Sequence, residues 1–314
     1  MNSGQQGIEA IVSPDAASQQ PGYADITVGF FLVARIPGLR PCIRATGYNP
    51  AMELTTYLLT GAIAGMLAGL LGIGGGLVIV PALALLFARQ GFPADTIMHF
   101  AVGTSLATII PTSISSLLAH NRRDSVHWPV VRGMLPGILV GALASAWLAR
   151  QISSEGLAQV FGVFVLLVAV QILIDARPAA HRRLPGRAGQ AGAGGLIGLV
   201  SGLLGIGGGT LTVPYLLWHS VDIRIAVGTA ATIGLPIAVA GTLGFILGGL
   251  GLQAQPGLNS GYVYWPAMAA VVLASVPAAP LGAHLAHHLP RSTLQRVFAL
   301  ILVVIGAKMT GLIP

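Results

Sequence analysis

Two runs of glycine carry the chemistry of this chain. Gly69-Leu70-Leu71-Gly72-Ile73-Gly74-Gly75-Gly76 leads into Leu77-Val78-Ile79-Val80-Pro81. Gly202-Leu203-Leu204-Gly205-Ile206-Gly207-Gly208-Gly209 leads into Thr210-Leu211-Thr212-Val213-Pro214. Successive glycines leave peptide N–H groups with no side chain over them, so those groups can converge on an anion. A helix that starts just after such a run offers its positive end to the same ion. Gly72, Gly74, Gly75, Gly76, Gly205, Gly207, Gly208 and Gly209 are therefore candidate anion-binding residues. Pro81 and Pro214 add a second irregularity about one turn later, because proline lacks a donor and crowds the preceding turn. Neither run ends in Lys-Ser or Lys-Thr, which sets it apart from a nucleotide phosphate loop. The competing reading of each run is close helix packing, which glycine also permits.

Hydroxyl groups supply a second set of uncharged donors. Thr104, Ser105 and Thr108 lie on a long apolar segment, and Thr229 and Thr232 occupy similar places later in the chain. Thr210 and Thr212 follow the second glycine run, where the first has Leu77 and Ile79. Such hydroxyls can donate to oxyanion oxygens, or bond to helix carbonyls one turn back. His99 stands opposite Arg224, 125 positions on. Both sit near helix starts, as residues at an anion-attracting mouth or as interfacial anchors. Asp95 and Asp222 precede them as pairing or capping groups. His284, His287 and His288 read as a polar helix end, since no carboxylate or cysteine accompanies them. No nucleophile, paired-carboxylate or metal-ligand constellation stands out. The reading is a protein that is not an enzyme and needs no cofactor.

The elements that position these residues belong in a bilayer. Of 314 residues, 54% are hydrophobic and only 8% charged, against about 25% charged in a soluble domain. The net charge of +7 does not point to nucleic acid here. The basic residues fall in loops between apolar runs, notably Arg122-Arg123 and Arg177, Arg182, Arg183 and Arg187, as in membrane proteins. The single cysteine, Cys42, precludes an intrachain disulfide. Apolar segments read at 54–71, 77–88, 99–119, 130–149, 157–174, 191–204, 210–218, 226–249, 264–285 and 294–312. A perpendicular span needs about 20 residues. Segments 77–88 and 210–218 are too short and follow the glycine runs, so they read as half-helices.

The halves match beyond the glycines. Ala101-Val102-Gly103-Thr104 recurs as Ala226-Val227-Gly228-Thr229, Pro111 falls opposite Pro236, and Trp128-Pro129 matches Trp265-Pro266. Pro136 and Gly141 match Pro277 and Gly282. The expected organisation is a disordered or interfacial segment 1–50, a first membrane repeat 51–175, a basic cytoplasmic linker 176–189 and a second membrane repeat 190–314. Loop charge places 89–98 outside and 219–225 inside, so the repeats are expected to be inverted. A parallel four-plus-four arrangement is the alternative. The fold class is an all-α polytopic membrane protein with a glycine-broken or re-entrant helix pair in each half.

Gly72 to Pro81, its second copy Gly205 to Pro214, and Ala101-Val102-Gly103-Thr104-Ser105-Leu106 with Ala226-Val227-Gly228-Thr229-Ala230 resemble the sulfite exporter TauE/SafE family of bacterial membrane permeases. The resemblance covers roughly residues 52–312. It implies about eight helices in two related halves, a multi-pass protein of the bacterial inner membrane, and sulfite or an organosulfonate as substrate. The residues themselves imply only a small anion. The second copy departs in having Ala230 where the first has Ser105. The expected mechanism is alternating access between the two breaks, with the lipid bilayer as surroundings, no nucleic-acid partner, and a homo-oligomer as a possible assembly. An importer of sulfate or thiosulfate, an anion channel and a membrane scaffold without substrate are the competing readings.

Overall fold

The computed structural model describes residues 50–71, 75–174, 183–251, 258–286 and 291–313. The expectations for residues 1–49, for most of the linker, for His287 and His288, and for Gly72 and Gly74 lie outside them. Ten helices are described: α1 (Pro50–Leu71), α2 (Gly76–Arg89), α3 (Ile97–Asn121), α4 (Trp128–Ala149), α5 (Ser154–Leu173), α6 (Arg187–Leu204), α7 (Gly209–Trp218), α8 (Ile223–Gly248), α9 (Trp265–Ala286) and α10 (Arg291–Met309). A two-strand hairpin, β1 (Asn259–Ser260) and β2 (Val263–Tyr264), precedes α9.

Local chemistry sets the helix ends. Ser153 accepts the Gly156 amide at 3.1 Å and starts α5, and Asp222 accepts the Arg224 amide at 2.8 Å and starts α8. His127 and Pro129 open α4. α6 stops because Gly205 is left-handed, with φ of 67°, and the Ile206 amide turns back to Ser201 O at 3.0 Å.

Six helices are long and apolar enough to cross a bilayer: stretches 52–70, 97–121, 128–149, 154–173, 223–248 and 265–282. α2 has 14 residues and α7 has 10, about 21 and 15 Å of helix, short of the ~30 Å hydrocarbon core. Leu59, Val140, Leu167, Leu247, Leu273 and Leu300 are exposed on the helix exteriors. They form a lipid-facing surface that would aggregate in water. Trp128, Trp147, Trp218 and Trp265 are likewise exposed near helix ends, the interfacial position for indoles.

Packing crosses between the halves. α1 lies on α9, α4 on α6, α3 on α8 and α5 on α10. Small residues allow this. Gly133 meets Gln190, Gly137 meets Ala191 and Gly141 meets Gly195, so α4 and α6 run parallel with glycines at four-residue spacing. Gly194 and Gly198 return the contact against Met134 and Ile138. Gly61 and Gly65 seat α1 on Val271 and Ser275 of α9, again in parallel. The central pair is different. Gly103 meets Phe245, Leu106 meets Gly241 and Ser113 meets Gly234, so α3 and α8 run antiparallel.

A side chain on Gly198 would fall 2.6 Å from the Ile138 carbonyl oxygen. Gly198→Val is therefore expected to destabilise the fold by about 1–3 kcal/mol or more. Gly192 on the same helix faces open space, so Gly192→Ala should leave stability equal or higher. Thermal unfolding of both variants in detergent checks the contrast.

Candidate functional site

The two breaks touch. Gly76, the first residue of α2, lies against the second glycine run: a side chain there would fall 2.7 Å from the Gly205 carbonyl oxygen and 2.8 Å from Ile206 Cα. Ser105 Oγ, fully buried on α3, donates to that same Gly205 oxygen at 2.8 Å. From Gly205 the chain passes between α3 and α8. Among the described residues Gly207 approaches Ile109, at 3.8 Å from a side chain built on it, while Gly208 sits 3.1 Å from Ala230 O and Gly234 N by the same measure.

The donors at this crossing are unused by the backbone. Among the described residues, the amides of Gly207, Gly208 and Gly209 donate to no backbone carbonyl. The Gly208 carbonyl accepts from Thr212 N at 2.9 Å, which starts α7 and directs the first amides of the helix back toward the break. Gly75 plays that part for α2, accepting from Val78 N and Ile79 N at 3.0 Å each. The buried polar side chains among the described residues are threonines, serines and one histidine, with no buried carboxylate, lysine or arginine. The surroundings of the breaks are thus neutral and dipolar.

The hydroxyls expected at the site divide by role. Thr104 Oγ1 accepts the Tyr264 amide at 3.0 Å, and Thr229 Oγ1 accepts the His127 amide at 2.9 Å. Both threonines are fully buried. They fill equivalent positions and tether the chain just before the two Trp-Pro helix starts. Ser105 pins Gly205. Thr108 and Thr232 bond back to Ser105 O at 2.7 Å and Gly228 O at 2.9 Å. Thr210 and Thr212 are buried on α7.

The remaining residues lie away from the crossing. His99 is buried, with Nε2 2.9 Å from Ala149 O and its ring stacked on Tyr262 at 5.1 Å. Arg224 is exposed in the first turn of α8, behind the Asp222 cap. Pro81 and Pro214 lie inside α2 and α7, which continue through them. The interruptions come earlier, between Leu71 and Gly76 and between Leu204 and Gly209. Each proline withholds a donor from the carbonyl four residues back, that of Leu77 or Thr210.

One feature was not foreseen from the sequence. Phe87 stacks on Phe92 at 4.5 Å, both pack edge-on against Phe100 and Tyr264, and Tyr57 meets Phe87 at 6.4 Å. This aromatic cluster closes the end of the molecule where α1, α3 and α9 begin. Tyr262 extends it, and burial raises its phenol above the ordinary tyrosine range, against the pull of Arg150. The rings are scattered from residue 57 to 264, so only tertiary structure brings them together. The Gly133-Gly137-Gly141 and Gly194-Gly198-Gly202 spacings stand in the sequence, but their role as packing stripes was not read from it.

A multi-pass helical membrane protein with two interrupted helices in contact is the class that this fold and site define. The chain belongs to the sulfite exporter TauE/SafE family, whose pattern it matches over residues 57–309. It is 36% identical over 254 residues to a probable membrane transporter protein of Haemophilus influenzae, covering 80% of this chain and 96% of that one. It is 28% identical over 278 residues to the probable membrane transporter protein YunE of Bacillus subtilis, covering 82% and 97%. A third relative, the probable inner membrane transporter protein TsaS of Comamonas testosteroni, is 26% identical over 211 residues, covering 66% and 82%. No solved structure matches the chain.

Thr104→Val and Thr229→Val each strand a backbone amide beside a helix start. Each is expected to lower stability by about 1–3 kcal/mol, read as a fall in melting temperature in detergent without any ligand. Thr104→Ser and Thr229→Ser should restore it.

Proposed function

We propose that the chain is a secondary transporter that exports a small sulfur oxyanion, sulfite or an organosulfonate, by alternating access. The observation that carries this reading is the contact of Gly76 with Gly205 and Ile206, beside amides that donate to no carbonyl. Broken backbone at membrane depth is tolerated where protein covers it or where it lines an aqueous path. Two breaks from opposite halves, meeting at a neutral and donor-rich crossing, suit an anion that must bind and then leave. A permanent cation there would hold the ion too tightly for turnover. The family description supplies the sulfur anion, and the relatives' names supply transport. Neither gives direction.

The helix directions support two inverted repeats, 51–175 and 190–314, joined by a linker at 176–189. α3 and α8 match each other at an offset of 125 positions, yet run antiparallel with a register that passes through Pro111 and Pro236. A two-fold axis relating antiparallel spans lies across them, hence in the membrane plane. Exposed Arg122, Arg123, Arg183, Arg187 and Arg224 gather at one end, and Arg89, Arg150 and Lys308 at the other. The richer end is placed in the cytoplasm. The aromatic cluster then closes the outer end. Four of its counterparts at the inner end are polar, Gln190 for Tyr57, Ser220 for Phe87, Ser125 for Tyr262 and His127 for Tyr264, while Phe100 is matched by Ile225. The inner gate therefore opens at less cost, which favours loading from the cytoplasm. An inside-negative potential contributes about 2.3 kcal/mol per charge per 100 mV to anion efflux, so export needs no coupling ion. No catalytic role is assigned to any residue.

Full-length protein in proteoliposomes should move sulfite or methanesulfonate and respond to an imposed potential. A strict dependence on a pH gradient with no response to potential would refute the uncoupled mechanism. Gly76→Val and Gly208→Val, whose side chains would enter the crossing, should each lower flux at least tenfold, with Gly208→Ala intermediate. Gly192→Ala should transport normally. Intact flux through both valine variants would end the assignment of the site.

A further inference from the structure

The two breaks are unequal, and the difference is a pair of hydroxyls. In the first, the side chains nearest Gly75 are hydrocarbon: a side chain built there would lie 3.1 Å from Ile79 Cδ1 and 3.7 Å from Ala68 Cβ, with the Ala64 carbonyl oxygen also at 3.7 Å. Counting from Gly72 and from Gly205, the positions of Ala68 and Ile79 are held in the second copy by Ser201 and Thr212. Both are completely buried. Neither Ser201 Oγ nor Thr212 Oγ1 has a hydrogen-bond partner among the described residues.

The helical hairpin places them together. α6 packs against α7 across the break. Ile197 and Leu216 belong to one apolar cluster, and Ser201 and Thr212 lie one turn closer to the break on the same two faces. Helical side chains lean toward the N-terminus of their own helix, so the Thr212 hydroxyl is directed back over Gly208 and Gly209. Thr242 Oγ1 on α8 is also without a partner among the described residues, but Thr108 and Thr232 satisfy themselves on helix carbonyls. Thr212 does not, although the Gly208 carbonyl one turn back is the natural acceptor. A buried hydroxyl without a partner carries a desolvation cost, and here two such groups lie on the helices that flank three amides donating to no carbonyl among the described residues.

We propose that Ser201 and Thr212, with the amides of Gly207, Gly208 and Gly209, form an oxyanion-binding site belonging to the second break alone. The inference rests on the transport reading above and deepens it to a ligand class, a singly charged sulfonate group. Desolvation cost grows steeply with charge, and no buried cation offsets it, so the site selects a monoanion over divalent sulfate. Three oxygens of one –SO3 group match hydroxyl donors on one side and amide donors on the other.

The test is a thermal-shift titration of the full chain in detergent with methanesulfonate, and in parallel with sulfate, at constant ionic strength. The wild type should bind methanesulfonate more tightly than sulfate. Thr212→Val and Ser201→Ala should each weaken methanesulfonate at least tenfold, with no fall in melting temperature in its absence, because no internal bond is lost. Thr212→Ser should restore affinity, and Thr232→Val should leave it unchanged. Wild-type affinity in both Thr212→Val and Ser201→Ala, with binding lost in Gly208→Val, overturns the hydroxyl site and spares the transport reading. A fall in the ligand-free melting temperature of Thr212→Val with affinity unchanged also overturns the hydroxyl site, since that hydroxyl then serves the fold. A wild type that neither binds nor moves methanesulfonate or sulfite overturns both.

Discussion

A peptide group without a hydrogen-bond partner cannot face lipid, and this constraint organises the molecule. α2 and α7 are short helices that begin afresh at Gly76 and Gly209, so the groups freed at each start must be covered by protein or line a path for solute. The fold meets the demand by bringing one break onto the other. Gly76 rests on Gly205 and Ile206, and the Gly205 carbonyl is taken up by Ser105. α3 and α8 form the wall on both sides of the crossing, which is why these two helices are the most deeply buried of the spans.

Covering the breaks demands close helix approach, and close approach demands small residues. The glycine stripes between α4 and α6 and between α1 and α9 bring backbones into contact across the halves. They do so in lipid, where no hydrophobic force draws helices together and van der Waals contact must do it. Thr104 and Thr229 finish the frame by holding the chain just before α9 and α4. Each half thereby secures the other.

Electrostatics at the crossing are those of dipoles. With no buried arginine, lysine or carboxylate among the described residues, the polar groups there are amides and hydroxyls. The described basic residues remain at the surface, where their charge is screened by salt. The asymmetry between Ala68 with Ile79 and Ser201 with Thr212 shows that the two halves keep a common backbone plan and differ in side chains at its centre.

Composition alone determined the setting, because 8% charged residues cannot solvate a protein of this size. The glycine runs and the short segments behind them located the breaks, since three glycines carry no apolar surface to sustain a helix. Matching prolines and Trp-Pro pairs pointed to a duplication. The local pattern did not disclose which helix meets which. A GxxxG spacing shows that something will press close, and the partner depends on the path of the chain through the layer. For the same reason Thr104 and Thr229 read as possible ligands for an anion and were found holding amides 160 and 102 positions away. His99, read as a mouth residue, was found stacked beneath Tyr262. A hydroxyl or an imidazole has one chemistry in the sequence, but only its neighbours in space decide whether that chemistry is spent inside the fold.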